Sequence, residues 1–282
     1  MIAITGAGGW LGSRCVETLR AAGKQVRRLT RRPHDPDQAT FVLGAPVDPT
    51  ILAGAETLIH AAHDFGAVGA AEMRRVNIEG SLALLRAARE AKVGRLVFVS
   101  SVSAFEGCRS LYGRAKLEIE TAFLAAGGTV VRPGLIYGDK GRGMFAALAK
   151  LSRLPVLPLV GGGRQPLMLV HIQDVAGALA TTADWAAGTV KDPVIFAHPE
   201  RVAIKDVLRA SARAQGRRFL AVPVPEALAL AGLRALEAAG LPLRARSDSL
   251  LGLLHWNPQP DFSWQAALGL KFRRFLDQDP TA

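Results

Sequence analysis

A tyrosine and a lysine near the middle of the chain are placed for proton transfer. Tyr112 and Lys116 lie four positions apart in a stretch that predicts a helix, so their side chains share one face, one turn apart. A free phenol has a pKa of about 10, too high to exchange a proton readily at neutral pH. A neighbouring ammonium group favours the phenolate and lowers that pKa. The pair therefore predicts acid–base chemistry in which Tyr112 gives a proton to a substrate oxygen, or takes one from it.

Serine hydroxyls precede this pair at the end of an apolar run. The run Arg95–Ser101 predicts a strand buried on both faces. Ser100, Ser101 and Ser103 stand at its end or just beyond it. A hydroxyl in this position can bond a substrate oxygen and stabilise the negative charge that develops there. We take Ser101 as the catalytic hydroxyl and keep Ser100 and Ser103 as alternatives.

A glycine-rich loop follows the first apolar run of the chain. Gly6, Gly9 and Gly12 lie between a predicted strand and a predicted helix. Glycines at this spacing permit a tight turn, close approach of a pyrophosphate to the backbone, and close packing of helix on strand. The free N–H groups and positive dipole end of the helix would hold the phosphates. The loop thus predicts a dinucleotide site. Its predicted contacts are Gly6, Gly8, Gly9, Trp10, Leu11 and Gly12.

Apolar runs alternate with helical patterns through the first two thirds of the chain. The predicted strands are Ile2–Thr5, Gln25–Thr30, Thr57–Ala61, Arg95–Ser101 and Thr129–Arg132, with a weaker strand near Phe41. The predicted helices are Trp10–Ala22, Met73–Ala91 and Leu111–Ala126. This alternation predicts an α/β fold, a Rossmann-type doubly wound parallel sheet with a smaller, mostly helical C-terminal substrate lobe. We assign 1–140 to the dinucleotide-binding domain, with 167–198 returning to it, and 141–166 and 199–282 to the substrate lobe.

Several motifs occur in the order typical of one enzyme family. They are TGxxGxxG at Thr5–Gly12, the serine pair Ser100-Ser101, YxxxK at Tyr112–Lys116, RPxxxYG at Arg132–Gly138 and VHxxDVA at Val170–Ala176. In these motifs the chain resembles the extended and atypical short-chain dehydrogenases/reductases, which are NAD-dependent epimerase/dehydratase-like. The resemblance implies a nicotinamide cofactor and Tyr–Lys redox chemistry between a carbonyl and an alcohol of a small or medium organic molecule.

The resemblance also assigns roles to further residues. Lys116 would contact the nicotinamide ribose, and Asn77 would help to hold the active-site helix and an ordered water. The remaining predicted cofactor contacts are Asp48, Ala61, Ala62, Arg132 and Pro133.

The residues after the second predicted strand favour NADP over NAD. NAD-specific Rossmann domains place an acidic residue near this strand end to bond the ribose hydroxyls. Here Thr30 and Arg31 stand at that end, followed by Arg32, and Asp35 and Asp37 come only later. An arginine fork fits a phosphate bidentately, and its planar face can stack on adenine. We therefore predict NADP as the cofactor, held in part by Thr30, Arg31 and Arg32.

Two features separate the chain from relatives that act on nucleotide sugars. The segment between Ser101 and Tyr112 is short, and Leu167–Leu169 are apolar where such enzymes often carry an arginine for the substrate diphosphate. Both favour an NADP-dependent oxidoreductase. The alternatives are a nucleotide-sugar epimerase or dehydratase, and a non-catalytic dinucleotide-binding sensor or assembly factor, which the intact Tyr–Lys pair disfavours.

The composition limits the partners. The net charge of +11 is spread along 282 residues without a zinc-ligand spacing or an RNA-binding motif, so we expect no nucleic-acid partner. His60 and His63 follow the fourth predicted strand without a suitably spaced carboxylate, which favours strand-end packing over a metal site. We expect no metal, a small-molecule substrate and a possible homodimer.

Cysteine usage and hydropathy predict the compartment. Only two cysteines are present, which fits a reducing environment. Ala221–Leu233 is apolar but short and interrupted by proline, and no signal peptide is recognisable. We expect a cytoplasmic protein without a membrane partner.

Overall fold

A computed structural model describes residues 1–139, 143–240 and 246–277. Its strands, in chain order, are β1 Ile2–Thr5, β2 Val26–Thr30, β3 Gln38–Thr40, β4 Thr57–His60, β5 Arg95–Val99, β6 Thr129–Pro133, β7 Leu135–Tyr137, β8 Val156–Val160, β9 Pro166–His171, β10 Val194–Phe196, β11 Arg201–Ala203 and β12 Leu220–Val224. Its α-helices are α1 Trp10–Ala21, α2 Gly69–Glu72, α3 Glu79–Glu90, α4 Leu111–Ala125, α5 Gly143–Leu151, α6 Ile172–Thr181, α7 Ile204–Ala214, α8 Glu226–Ala238, α9 Ser247–Leu254 and α10 Ser263–Ala267.

Seven strands form a parallel sheet in the order β10-β6-β5-β4-β1-β2-β3. Successive residues of a strand point to opposite faces, so the sheet has two apolar sides. Ile2, Ile4 and Ile59 pack with the inner sides of α1 and α6. Ala3 and Leu58 pack on the other face with α3 and α4. Burial on both faces is why these strands lack polar alternation, and the predicted Rossmann-type doubly wound fold is confirmed.

The strand order reverses between β1 and β4. Connections leave these two neighbours in opposite directions, which opens a crevice at their carboxyl ends. The glycine-rich loop follows β1, and residues 61–68 follow β4 at the same edge. The fold thus brings the predicted cofactor loop and the end of β4 together.

The predicted helix Met73–Ala91 is interrupted in the structure. Residues Met73–Ile78 form a π-helical turn between α2 and α3. Within it the Asn77 carbonyl accepts a hydrogen bond from the Ser81 hydroxyl at 2.6 Å. The Asn77 side chain bonds residues outside the helix, as described below. Such wide turns often occur at functional sites, and a period-based prediction does not detect them.

The remaining strands belong to a smaller lobe, whereas α10 packs against β10 of the large sheet. The smaller lobe contains a three-stranded sheet in the order β11-β9-β7 and a two-stranded sheet of β12 and β8. They share an apolar cluster with α5 and α7. The segment 167–198, which we predicted to return to the first domain, is therefore divided: β10 joins the large sheet, whereas β9 belongs to the three-stranded sheet. The predicted boundary between residues 140 and 141 and the predicted end at 278–282 lie outside the described residues, and the domain division stays a prediction.

Within residues 1–139, 143–240 and 246–277, we find no helix that is both long and apolar enough to cross a membrane.

Candidate active site

The glycine-rich loop is packed tightly against the end of β4. Gly6 has a φ of +70°, and a Cβ added there would lie 2.9 Å from the Ala61 carbonyl carbon. A Cβ on Gly12 would lie 2.1 Å from the Gly6 oxygen. The Gly9 N–H closes the turn by donating to the Gly6 carbonyl at 2.8 Å. Only glycine fits at positions 6 and 12, whereas Gly8 faces open space, with no atom within 4 Å of an added Cβ.

Thr5 fixes the backbone beside this loop. Its hydroxyl oxygen accepts hydrogen bonds from the N–H groups of Ala61 and Ala62, each at 3.1 Å. It also lies 2.7 Å from His60 Nδ1, and His60 Nε2 lies 2.8 Å from the Ser81 hydroxyl. Burial lowers the pKa of His60 to about 3, because the low-dielectric core disfavours imidazolium. His60 is therefore a neutral core residue at the strand end, as predicted.

Helix α4 carries Tyr112 and Lys116 into the same crevice. The Ser110 hydroxyl caps the helix by accepting from the Gly113 N–H at 3.0 Å. Lys116 Nζ lies 6.0 Å from the centre of the Tyr112 ring and donates to the Val99 carbonyl at 2.8 Å. Lys116 is only 3% exposed, and burial lowers its pKa to about 7. The predicted spacing thus places the lysine amine beside the phenol, and near pH 7 only part of that amine is charged.

Burial shifts the pKa of Tyr112 in the direction opposite to the one predicted. It raises the pKa above its usual value, and a hydrogen bond with the Ser101 side chain lowers it by a smaller amount. The prediction rested on the charge of Lys116 alone, whereas in the fold the cost of placing a phenolate in a dry crevice is larger. A raised pKa keeps Tyr112 protonated in the free protein, which is the state that a proton donor requires.

Among the three candidate serines, Ser101 is the one whose side chain interacts with the phenol and lowers its pKa. Its Oγ also accepts from the Ser103 N–H at 3.1 Å. The Ser100 hydroxyl is buried and has no partner among the described residues. The catalytic role assigned to Ser101 stays a prediction.

Two aromatic rings from the loop after β4 line the phenol. The His63 ring lies edge-on to Tyr112 at 5.0 Å between centroids, and Phe65 lies nearly parallel to it at 6.0 Å. Burial and the charge of Lys116 lower the pKa of His63 to about 2, so its ring is neutral. Phe65 is 78% exposed. Neither residue was predicted to belong to the site, although His63 directly follows Ala62 and Phe65 comes two positions later.

Asn77 holds the loop after β4 through hydrogen bonds to its backbone. It is fully buried, its Oδ1 accepts from the Asp64 N–H at 2.8 Å, and its Nδ2 donates to the Asp64 carbonyl at 3.0 Å. Asp64 lies between His63 and Phe65 in the chain. Asn77 therefore positions the aromatic wall of the site.

A carboxylate from the smaller lobe reaches the start of α4. Asp248 in α9 accepts from the Leu111 N–H at 2.6 Å and from the Tyr112 N–H at 3.4 Å. A negative charge at a helix N-terminus stabilises the free N–H groups there. The contact spans 136 residues, and no local sequence pattern could have revealed it.

The end of β2 presents two arginines and no accessible acid. Arg28 binds Asp35 at 2.6 Å and Asp37 at 2.7 Å, so both downstream carboxylates are engaged. Arg31 and Arg32 are exposed and have no ion-pair partner within the described part of the chain. The Thr30 hydroxyl is buried, and none of the described residues bonds it. Cationic groups therefore occupy the position where an NAD-specific domain carries an acid.

The other predicted cofactor residues have varied surroundings. Trp10 and Leu11 begin α1 and are half-buried. Asp48 is exposed and caps a turn by accepting from the Thr50 N–H at 2.9 Å. Arg132 forms an ion pair with the buried Glu120 at 2.6 Å, and Pro133 ends β6. The cofactor contacts assigned to these residues stay predictions.

Comparison with known proteins identifies the family. The model of the NAD dependent epimerase/dehydratase family matches residues 2–195. A ceramide reductase of Caulobacter vibrioides is 36% identical over 190 residues, which are 64% of this chain and 59% of that protein. A 4-hydroxy-2-methyl-3-oxo-4-farnesyl-3,4-dihydroquinoline-1-oxide ketoreductase of Stigmatella aurantiaca is 29% identical over 66% of this chain and 65% of its own. The match therefore spans less than two thirds of either relative.

Solved structures agree on the fold. The crystal structure of gox2253 superposes with a TM-score of 0.71 and 22% identity, over 97% of this chain and 93% of that one. The family match covers more than half of the chain and includes the glycine loop, Tyr112 and Lys116. The chain belongs to the NAD dependent epimerase/dehydratase family.

Proposed function

We propose that this protein is an NADP-dependent reductase that converts a ketone of a predominantly apolar organic molecule to an alcohol, with Tyr112 as the proton donor. The observation that carries this proposal is the Tyr112 phenol, which interacts with the Ser101 side chain and lies beside the buried amine of Lys116. A ketone becomes an alcohol when its carbon gains a hydride and its oxygen gains a proton. Tyr112 supplies the proton, and bound NADPH would supply the hydride and leave as NADP⁺.

Each group near the phenol has a part in this reaction. The Ser101 hydroxyl donates to the carbonyl oxygen and stabilises its developing charge. Lys116 offsets the charge left on Tyr112 after the proton moves. Its Nζ is held toward the crevice by the Val99 carbonyl at 2.8 Å. Asn77 and Asp248 act by positioning, since they bond backbone groups on either side of the phenol.

The glycine loop fits a dinucleotide. The closest approaches at Gly6 and Gly12 are to protein backbone, which draws the loop against β4 and leaves Gly8 open. Gly9 stands immediately before α1, where N–H groups are free to bond phosphate oxygens. Arg31 and Arg32 would bind the 2′-phosphate of NADP.

An apolar substrate is supported by the site and by the relatives. His63 and Phe65 present a neutral ring and an exposed phenyl ring beside Tyr112. Two relatives carry names that refer to ceramide and to a farnesyl compound. Both names describe large apolar molecules with oxygen-bearing groups.

The test is NADPH oxidation with long-chain 3-oxo esters and ketones, compared with UDP-glucose and UDP-galactose. We expect stoichiometric NADPH consumption and alcohol formation with at least one ketone, and no interconversion of the two sugars. The family also contains epimerases and dehydratases, so sugar interconversion without net NADPH consumption would replace this proposal with the epimerase alternative. Binding of NADPH without turnover of any substrate would support the sensor alternative.

A further inference from the structure

The two-stranded sheet of the smaller lobe has an apolar outer face. Residues Val156, Pro158 and Val160 alternate along β8 with the buried Leu157 and Leu159. Their register partners on β12 are Leu220, Val222 and Val224, and paired residues point to the same side of a sheet. We call these six residues the outer face. Sheets with one solvated face normally carry polar residues there.

The outer face is open to solvent. Leu220 is 65% exposed, Val156 49% and Val222 41%. The connection from α5 to β8 adds Leu151 and Leu154, which are 46% and 48% exposed. Contiguous apolar surface of this kind on a water-soluble lobe marks a contact site.

Basic residues predominate in the segments that carry the outer face. Segments 143–160 and 207–225 contain six basic residues and no acidic ones, and Asp206 and Glu226 directly flank the second segment. The basic residues are Lys150, Arg153, Arg209, Arg213, Arg217 and Arg218. Arg217 bonds the Arg153 carbonyl at 3.3 Å, and the Leu220 N–H bonds the Pro155 carbonyl at 2.8 Å. Arg153 and Arg217 therefore lie at the same end of the sheet as the exposed Leu220.

These cations are largely available to an external partner. Arg209 pairs with Asp206 at 3.4 Å, whereas Arg153 bonds the neutral Gln215 side chain at 2.7 Å. No carboxylate of the described residues forms an ion pair with Arg153, Arg217 or Arg218. An apolar surface bordered by unneutralised cations is complementary to a bilayer with anionic headgroups. A second copy of the chain is a poorer fit, because docking two such faces would oppose like charges.

We propose that the outer face docks this protein on an anionic phospholipid bilayer. Valine and leucine side chains would enter the headgroup boundary, and the arginines would contact lipid phosphates. We predicted no membrane partner from the absence of a spanning segment and of a signal peptide, and surface docking requires neither. The lobe that carries the outer face also supplies Asp248 to the start of α4. If the proposed function is correct, docking brings the site to apolar ketones dissolved in the membrane.

The test is co-sedimentation of the full chain with phosphatidylcholine vesicles, with and without about one third phosphatidylglycerol. We expect at least roughly tenfold stronger partitioning to the anionic vesicles, lost when salt is raised from about 0.1 M to about 1 M. Val222→Asp and the double change Arg217→Gln, Arg218→Gln should each abolish most of this binding. Val42→Asp is the matched control, since Val42 is 42% exposed outside the outer face. Circular dichroism checks that each variant is folded.

Three results would overturn the proposal. They are no binding to either vesicle, equal binding to both, and binding that the variants leave unchanged. A concentration-dependent dimer that Val222→Asp dissociates would instead assign the outer face to self-association. Turnover of a water-soluble ketone without vesicles is measured in parallel. If only the docking proposal is wrong, the protein still turns over this ketone. If the proposed function is wrong, no turnover of the ketone is seen.

Discussion

Asn77 forms hydrogen bonds with both backbone polar groups of Asp64, at 2.8 Å to the N–H and 3.0 Å to the carbonyl. These two bonds join the π-helical turn to the loop that carries His63 and Phe65. The loop has no regular structure at residues 61–64, so a side chain replaces the bonds that a sheet or helix would provide. The position of the rings beside Tyr112 thus depends on one buried amide.

Replacing Asn77 with alanine should weaken both stability and substrate use. The change leaves the Asp64 N–H without a partner and leaves the Asp64 carbonyl only the longer bond from the Ala67 N–H at 3.4 Å. We expect this to lower the free energy of unfolding by about 1–3 kcal/mol. The loop should loosen, raising KM and lowering kcat. Urea unfolding and steady-state kinetics measure these effects. Asn257→Ala is the control, because the Asn257 side chain makes only a local bond, accepting from the Gln259 N–H at 2.9 Å. Unchanged kinetics in a destabilised Asn77→Ala protein would show that Asn77 is structural only.

The buried Lys116 should make stability depend on pH. Its pKa falls from 10.5 in the unfolded chain to about 7 in the folded one. Between these values the unfolded state binds more protons, so the free energy of unfolding rises with pH. We expect a contribution of about +2 kcal/mol between about pH 7 and pH 9.

The measurement is urea unfolding of the wild type and of Lys116→Met at several pH values. The advantage in stability that Lys116→Met has near pH 7 should shrink as the pH rises. Lys150→Met provides a control at an exposed lysine. A constant difference between wild type and Lys116→Met across this range would contradict the lowered pKa.

The arginine after β2 should determine cofactor preference. One charge-assisted contact contributes about 1.5–3 kcal/mol, so NADPH should bind at least roughly tenfold tighter than NADH. Arg31→Ala should remove most of this preference with little effect on NADH affinity. Calorimetric titration of both cofactors measures it, and the exposed Arg86 on α3 provides a matched Arg86→Ala control. Equal affinities in the unchanged protein would disprove the preference.

Neighbouring glycines in the loop should respond differently to a methyl group. Gly9→Ala should weaken NADPH binding by about tenfold or more, because this glycine permits close approach of the pyrophosphate. Gly8→Ala should change it little, since a Cβ there meets no protein atom within 4 Å. Calorimetry on the two folded variants makes the comparison. Equal affinities would show that the phosphates do not approach Gly9 more closely than Gly8.

Local patterns were sufficient to predict the frame of the site. Strands such as Ile2–Thr5 are buried along their whole length, so apolar runs located them. The glycines, Tyr112 and Lys116 belong to short motifs whose spacing depends on the local backbone alone. Their meeting in one crevice follows from the strand order of the sheet.

The remainder depended on tertiary contacts. Asp248 lies far from Tyr112 in sequence, and its bond to α4 exists only because the smaller lobe packs there. The raised pKa of Tyr112 reflects burial, which is a property of the folded crevice. The outer face was not predicted either. The sequence of β8 shows that its side chains point to two faces, but it does not show which face the rest of the protein covers.

The most direct test of the account compares the two tyrosines of the chain. Tyr112→Phe removes the proposed proton donor, whereas Tyr137→Phe removes a buried hydroxyl that none of the described residues bonds. Once a ketone substrate has been found, we expect Tyr112→Phe to lower kcat by about 10²–10⁴-fold with NADPH affinity nearly unchanged. Tyr137→Phe should keep near wild-type kcat. Retention of most of kcat by Tyr112→Phe, with alcohol still formed, would contradict the assignment of Tyr112 as the proton donor.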